Sequence, residues 1–248
     1  MRHWYLYLFL MNWLLAFWIP HPQSLDLLWS LAVEEQFYLL WPFAVYWLSE
    51  FAIGWLACGL LLLAPVLRWT CTPMFDSAWP IYALTPFRMD LLAAGALLSI
   101  AWRHHRDKIE RFGPYGLLVS VGSCGALYLM SRHGNFTTHS NTVSTNVWVY
   151  EMSLFACTGV IVWALSGRGV QMLRWAPVAY VGRISYSIYL IHTTILFEIL
   201  GHFGISVLMR AALGALGSVA YAALSWKFLE GPLLKNRREQ TEETVRAY

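Results

Sequence analysis

Apolar runs long enough to cross a lipid bilayer recur along the whole of this chain, and no other feature limits its fold as strongly. Eight can be drawn: Trp4–Ile19, Leu27–Leu48, Phe51–Leu67, Ile81–Trp102, Tyr115–Met130, Val147–Leu165, Ile184–Leu200 and Ile205–Leu229. A span needs about 20 apolar residues, somewhat fewer where flanking side chains snorkel. Backbone N–H and C=O groups find no partner in hydrocarbon except one another, so these runs are predicted to be α-helices. The expected fold class is all-α, a polytopic integral-membrane helical bundle of about eight transmembrane helices. Composition agrees: 58% of the 248 residues are hydrophobic and 12% are charged, against about 25% charged in a soluble domain. An ordinary soluble enzyme is excluded. Residues 1–234 are read as one membrane-embedded domain and 235–248 as a cytoplasmic polar tail.

Charge placement sets the expected orientation. Of 17 Lys and Arg residues, thirteen fall on one side: Arg2, Arg103, Arg106, Lys108, Arg111, Arg168, Arg174, Arg183, Lys227, Lys235, Arg237, Arg238 and Arg246. Positive residues collect on the cytoplasmic side, so both termini are expected there, with Thr70–Pro80 and Ser131–Asn146 outside. The expected location is the cell membrane, multi-pass, and the inner membrane in a Gram-negative cell. The net charge of +3 and the lack of a long basic run argue against a nucleic-acid partner. Membrane lipid is the expected partner, and the basic cluster Arg103–Arg111 is read as a topology signal. Cys58, Cys71, Cys124 and Cys157 have no metal-like spacing and are read as packing residues. No metal site is expected.

Ionisable groups inside a span are costly and need a partner or a wet cavity. The second run holds the densest group, Ser30, Glu34, Glu35, Gln36 and Tyr38. Successive helical residues point about 100° apart, so Glu34 and Glu35 cannot share one site, whereas Ser30, Glu34, Phe37 and Trp41 share a face. Arg88 and Asp90 are two apart and do not face each other on a straight helix. Each is expected to meet a partner elsewhere, and for Arg88 that partner would be Glu34 or a substrate anion. Tyr186, Tyr189 and His192 follow at three-residue intervals and are expected to line one face, where the imidazole could take up a proton near neutral pH. In the last run Gly214, Ser218 and Ala222 form a small-residue stripe suited to close helix packing.

The string Trp29-Ser30-Leu31-Ala32-Val33-Glu34-Glu35-Gln36-Phe37-Tyr38, continuing to Pro42, resembles the signature of the membrane-bound acyltransferase family 3, polytopic proteins that O-acylate cell-surface glycans. Phe87-Arg88-Met89-Asp90 with Gly95, the segment Gly182 to His192, and Glu230-Gly231-Pro232 are similar to further family motifs in the same order. The resemblance implies transfer of an acyl group, with acetyl expected, from a cytoplasmic donor to a hydroxyl of a cell-surface or exported glycan. Acyl-CoA, with acetyl-CoA expected, would be a co-substrate rather than a bound cofactor. It also implies catalytic roles for Glu34, Arg88 and His192, and substrate contacts for Ser30, Gln36, Tyr38, Asp90, Tyr186 and Tyr189.

Family members typically have about ten spans, the first bearing an arginine and the histidine regarded as catalytic. The chain is expected to begin beyond the first two, and neither His3 nor His21 is given that role. These 248 residues alone are therefore expected to insert but to transfer little. A secondary transporter or exporter, or a catalytically inert shortened relative, remains an alternative on the residues themselves.

Overall fold

The computed structural model describes residues 4–22, 25–132 and 141–234. The helices among them are α1 Trp4–Tyr7, α2 Met11–Ala16, α3 Leu28–Trp47, α4 Glu50–Cys71, α5 Trp79–Ala83, α6 Met89–Arg132, α7 Val143–Leu165, α8 Ala176–Thr193 and α9 Val207–Ser225, with no strand among the described residues. The fold is all-α. Five helical stretches are long and apolar enough to cross a membrane: Glu50–Met74, Met89–Arg132, Val143–Leu165, Ala176–His202 and Val207–Leu234. Two compact units divide the chain, Met1–Gln171 and Met172–Tyr248.

In the first unit the expected span Trp4–Ile19 does not form. Four- and six-residue helices, α1 and α2, rise only about 6 and 9 Å at 1.5 Å per residue, far short of a bilayer. Phe9 and Trp18 take left-handed backbone angles, φ 52° and 55°, a region costly for bulky residues. The freed Phe9 carbonyl accepts from Gln36 Nε2 at 2.7 Å. Tyr5, Met11 and Leu14 pack against Ala32, so the segment folds back on the first turns of α3. Among the described residues before α3, therefore, no helix is long enough to cross a bilayer.

The run Ile81–Trp102 is broken as well. Pro86 lacks the N–H that would continue the α5 ladder, Leu84 is extended with ψ 139°, and a 3-10 turn at Thr85–Phe87 leads into α6. From there α6 runs through residues 103–111, which were expected to be a loop. His105 interrupts it with φ −134° and ψ 36°. Arg88, just before α6, stacks on Tyr150 of α7, while Gly116 of α6 touches Gly159 of the same helix. From 88 to 116 a straight helix would rise about 42 Å and from 150 to 159 about 14 Å, so α6 must fold back at His105. One long element thus supplies two of the expected crossings.

Contacts fix the two ends of this unit. Glu50 at the start of α4 meets His104 at 2.6 Å and Arg103 at 3.6 Å. At the other end Asn141 Nδ2 donates to the Phe75 carbonyl at 2.5 Å, and Asn146 Nδ2 to Thr72 Oγ1 at 3.1 Å. The two segments expected to lie outside therefore meet at a common end. Residues 133–140, half of the second segment, lie outside the described residues.

The second unit is a hairpin of α8 and α9. After Thr193 a π-helical stretch, Thr194–Ile199, and a 3-10 turn, Leu200–His202, extend α8, and a second π-helical stretch, Trp226–Glu230, follows α9. Helix α8 starts eight residues before the expected Ile184, which places Arg183 within it, over the Trp226 ring at 5.8 Å. Gly214, Ser218 and Ala222 are all buried, as the stripe predicts. A Cβ on Gly214 would lie 2.2 Å from Leu196 Cδ2.

Candidate active site

Four charged side chains from three helices and one turn converge in the first unit. Arg68, in the last turn of α4, is wholly buried and donates from Nη2 to Asp90 Oδ2 at 2.6 Å and to Glu151 Oε1 at 2.5 Å. Its Nη1 donates to the Phe87 carbonyl at 2.6 Å. A buried cation is tolerated only with such partners. Asp90, 1% exposed, accepts with its other oxygen from the Leu91 N–H at 2.9 Å, so both of its oxygens are engaged within the protein. Neither Arg68 nor Glu151 was singled out from sequence: Arg68 falls one residue beyond the third run, which ended at Leu67, while Glu151 lies within the run Val147–Leu165. Their signal was nevertheless present: each is an ionisable residue inside a long apolar helix.

Arg88 stands at the junction of the 3-10 turn and α6. Its guanidinium lies over Tyr150 at 4.3 Å, Tyr82 at 5.0 Å and Trp29 at 5.2 Å, and its Nε donates to the Tyr82 carbonyl at 2.8 Å. Cation–π contacts of this kind hold the plane of the guanidinium while leaving its edge free. Among the described residues no carboxylate lies within 4 Å of Arg88, so the expected pairing with Glu34 does not form. As expected, Arg88 and Asp90 part company, one to the rings and one to Arg68.

Glu34 projects from the exposed side of α3. Gln36, two residues on, turns about 200° away and enters a polar cluster with Asn12 and Thr85. Asn12, fully buried, donates to Thr85 Oγ1 at 3.1 Å, Gln36 Nε2 donates to Asn12 Oδ1 at 3.2 Å, and Thr85 Oγ1 donates to Gln36 Oε1. Ser30 Oγ donates to the Leu27 carbonyl at 3.3 Å. Tyr38 is exposed beside Phe37, which stacks on Trp41 at 4.8 Å.

In the second unit a groove of about 530 Å³ runs between α8 and α9, lined by Ser185, Tyr189, His192, Leu196 and the small residues of α9. Tyr186 does not reach it and is 56% exposed. Steps of three residues drift by about 60° each on a 3.6-residue helix, so Tyr186 and His192 end about 120° apart, whereas Ser185, Tyr189, His192 and Leu196 hold the i, i+4, i+7, i+11 register. The expected three-residue stripe is thus reduced to Tyr189 and His192. His192 Nδ1, facing the Tyr189 carbonyl at 2.8 Å, carries the proton of a neutral ring and donates it there. That leaves the Nε2 lone pair free to act as a base. Behind the groove Glu230 accepts from Ser187 Oγ and, at 2.6 Å, from Ser225 Oγ. The Glu230 motif therefore ties the end of α9 to α8.

The family described as an acyltransferase domain matches residues 1–227. The peptidoglycan O-acetyltransferase OatA of Listeria monocytogenes is 28% identical over 238 residues, 89% of this chain and 36% of its own length. The O-acetyltransferase OatA of Staphylococcus aureus is 24% identical over 233 residues, 86% of this chain and again 36% of its own length. The chain thus spans about a third of the length of these relatives. No solved structure matches it. With a match that reaches from the first residue through α9, the chain belongs to the acyltransferase-domain family.

Proposed function

We propose that the chain is the membrane-embedded acyl-transfer part of an O-acetyltransferase, moving acetyl from a cytoplasmic acyl-CoA to a hydroxyl of a cell-envelope glycan. The observation that carries this reading is His192, which lines a groove of about 530 Å³ and has Nδ1 tied to the Tyr189 carbonyl. The names of the relatives support acetyl as the group and a wall glycan as the acceptor. Nε2 takes the proton of the acceptor hydroxyl as its oxygen attacks the thioester carbonyl, the C–S bond breaks, and the imidazolium returns the proton to the departing CoA sulfur. Arg88 holds negative charge and Glu34 accepts from acceptor hydroxyls. In the second unit Tyr189 lines the His192 groove; in the first, Ser30 and Tyr38 offer hydroxyls for glycan contacts, and Gln36 acts by holding α2 against α3. The end of the first unit that bears Arg103, Arg106, Lys108 and Arg111 faces the cytoplasm, in contact with anionic lipid, and the end bearing Thr72 and Asn141 faces outward.

The test is acetyl transfer from labelled acetyl-CoA to a glycan by the full-length protein in proteoliposomes. His192→Phe keeps the ring volume and removes both nitrogens. The rate should fall by about two orders of magnitude or more at unchanged membrane yield. A normal rate would overturn the reading.

A further inference from the structure

Arg88 and Arg68 share the ring of Tyr150, at 4.3 and 5.2 Å, yet they are satisfied differently. Arg68 takes both carboxylates of the cluster, Asp90 and Glu151. Arg88 keeps none and has one hydrogen bond, from Nε. Two arginines and two carboxylates sum to zero, which makes the second guanidinium tolerable in an apolar setting without a carboxylate of its own. Its remaining N–H groups, on the two Nη atoms, form a planar edge suited to a carboxylate or a phosphate.

Arg68 decides where that edge points. Through Nη1 it holds the Phe87 carbonyl, and through Nη2 the Asp90 side chain. Arg88 lies between those two anchors, so the turn that presents it is fixed on both sides. The cluster lies toward the Thr72 and Asn141 end, where Thr72 Oγ1 donates to the Arg68 carbonyl at 2.5 Å. In the orientation proposed above that is the outward, acceptor-facing end.

We propose that Arg88, held by the clamp of Arg68 on Phe87, Asp90 and Glu151, binds an anionic group of the acceptor, so that the enzyme prefers acidic glycans and Arg68 is a positioning residue for that preference. This rests on the acyl-transfer reading. The chemistry is shared by a carboxylate and a phosphate monoester, and the acceptors tested separate them.

The experiment uses full-length protein in proteoliposomes with acetyl-CoA and four tetrasaccharide acceptors: a carboxylate-bearing one, its uncharged methyl ester, its phosphate-bearing counterpart, and the uncharged dimethyl ester of that phosphate. Arg88→Gln should raise KM for one of the anionic acceptors by about tenfold or more, leaving KM for the esters and for acetyl-CoA unchanged. Arg68→Lys, whose single ammonium cannot span three acceptors, should give the same pattern. The double variant should be no worse than Arg88→Gln alone, because Arg68 acts through Arg88. If Arg68→Lys does not accumulate, Glu151→Gln takes its place in the cycle with the same expectation. Equal KM changes for acid and ester, equal wild-type use of both, or losses that multiply in the double variant would overturn the proposal. Wild-type protein that acetylates none of the four would refute the acyl-transfer reading itself.

Discussion

At the crossing of α6 and α7 the two backbones meet with no side chain between them, and a single methyl group there has a calculable effect. A Cβ on Gly159 would lie 2.4 Å from the Gly116 carbonyl oxygen, and one on Gly116 would lie 2.5 Å from the Gly159 oxygen. Both obstacles are backbone, so no rotamer change relieves them. Ordinary contact begins at 3.4 Å, about 1 Å further out, so Gly159→Ala must push the helices apart by roughly that amount. Overpacking of this kind costs about 1–3 kcal/mol, against which a helical Gly→Ala exchange returns about 0.5–1 kcal/mol. A net loss of up to about 2.5 kcal/mol is expected, and a deficit of about 1–3 kcal/mol against an unobstructed Gly→Ala exchange. Gly125, on the same long helix with nothing within 4 Å of its Cβ position, is the control, and Gly125→Ala should be neutral or slightly stabilising. Unfolding midpoints in mixed micelles, followed by near-UV circular dichroism, measure the difference. Gly116→Ala combined with Gly159→Ala should cost less than the sum of the two, since one displacement relieves both clashes. If Gly159→Ala matches Gly125→Ala in stability, the close α6–α7 approach is wrong, and with it the folding back of α6 at His105.

Asn12→Leu should lower stability by about 1–3 kcal/mol in the same measurement, because it leaves the partly buried Gln36 and Thr85 without their Asn12 partner; an unchanged midpoint would show that this cluster does not hold the N-terminal segment. Cysteines placed at Arg106 and at Asn141, in a background without the native cysteines, should label from opposite sides of intact membranes with an impermeant maleimide. Labelling of both from one side would refute the proposed orientation.

The helical fold was legible from the chain itself because hydrocarbon offers backbone groups no alternative to internal pairing. The runs that became α4, α7 and α9 needed nothing more than length and apolarity. The small stripe of α9 was legible for a related reason: residues four apart share a face, and Gly214, Ser218 and Ala222 are buried as a set. Length and apolarity also misled at Trp4–Ile19, where the decisive terms are long-range: Gln36 drawing off the Phe9 carbonyl and Asn12 reaching Thr85, 73 positions away. The motif residues were visible as motifs, but not their partners. Arg88 was legible as a charge that needed company, whereas the company it found is three aromatic rings from α3, α5 and α7. Arg68 and Glu151, 83 positions apart, became one ion pair only when α4 and α7 packed together. A sequence records how each segment should fold by itself. Which buried charge meets which depends on contacts between helices, and the cost of leaving a charge unpaired in hydrocarbon is the physical reason those contacts are so specific.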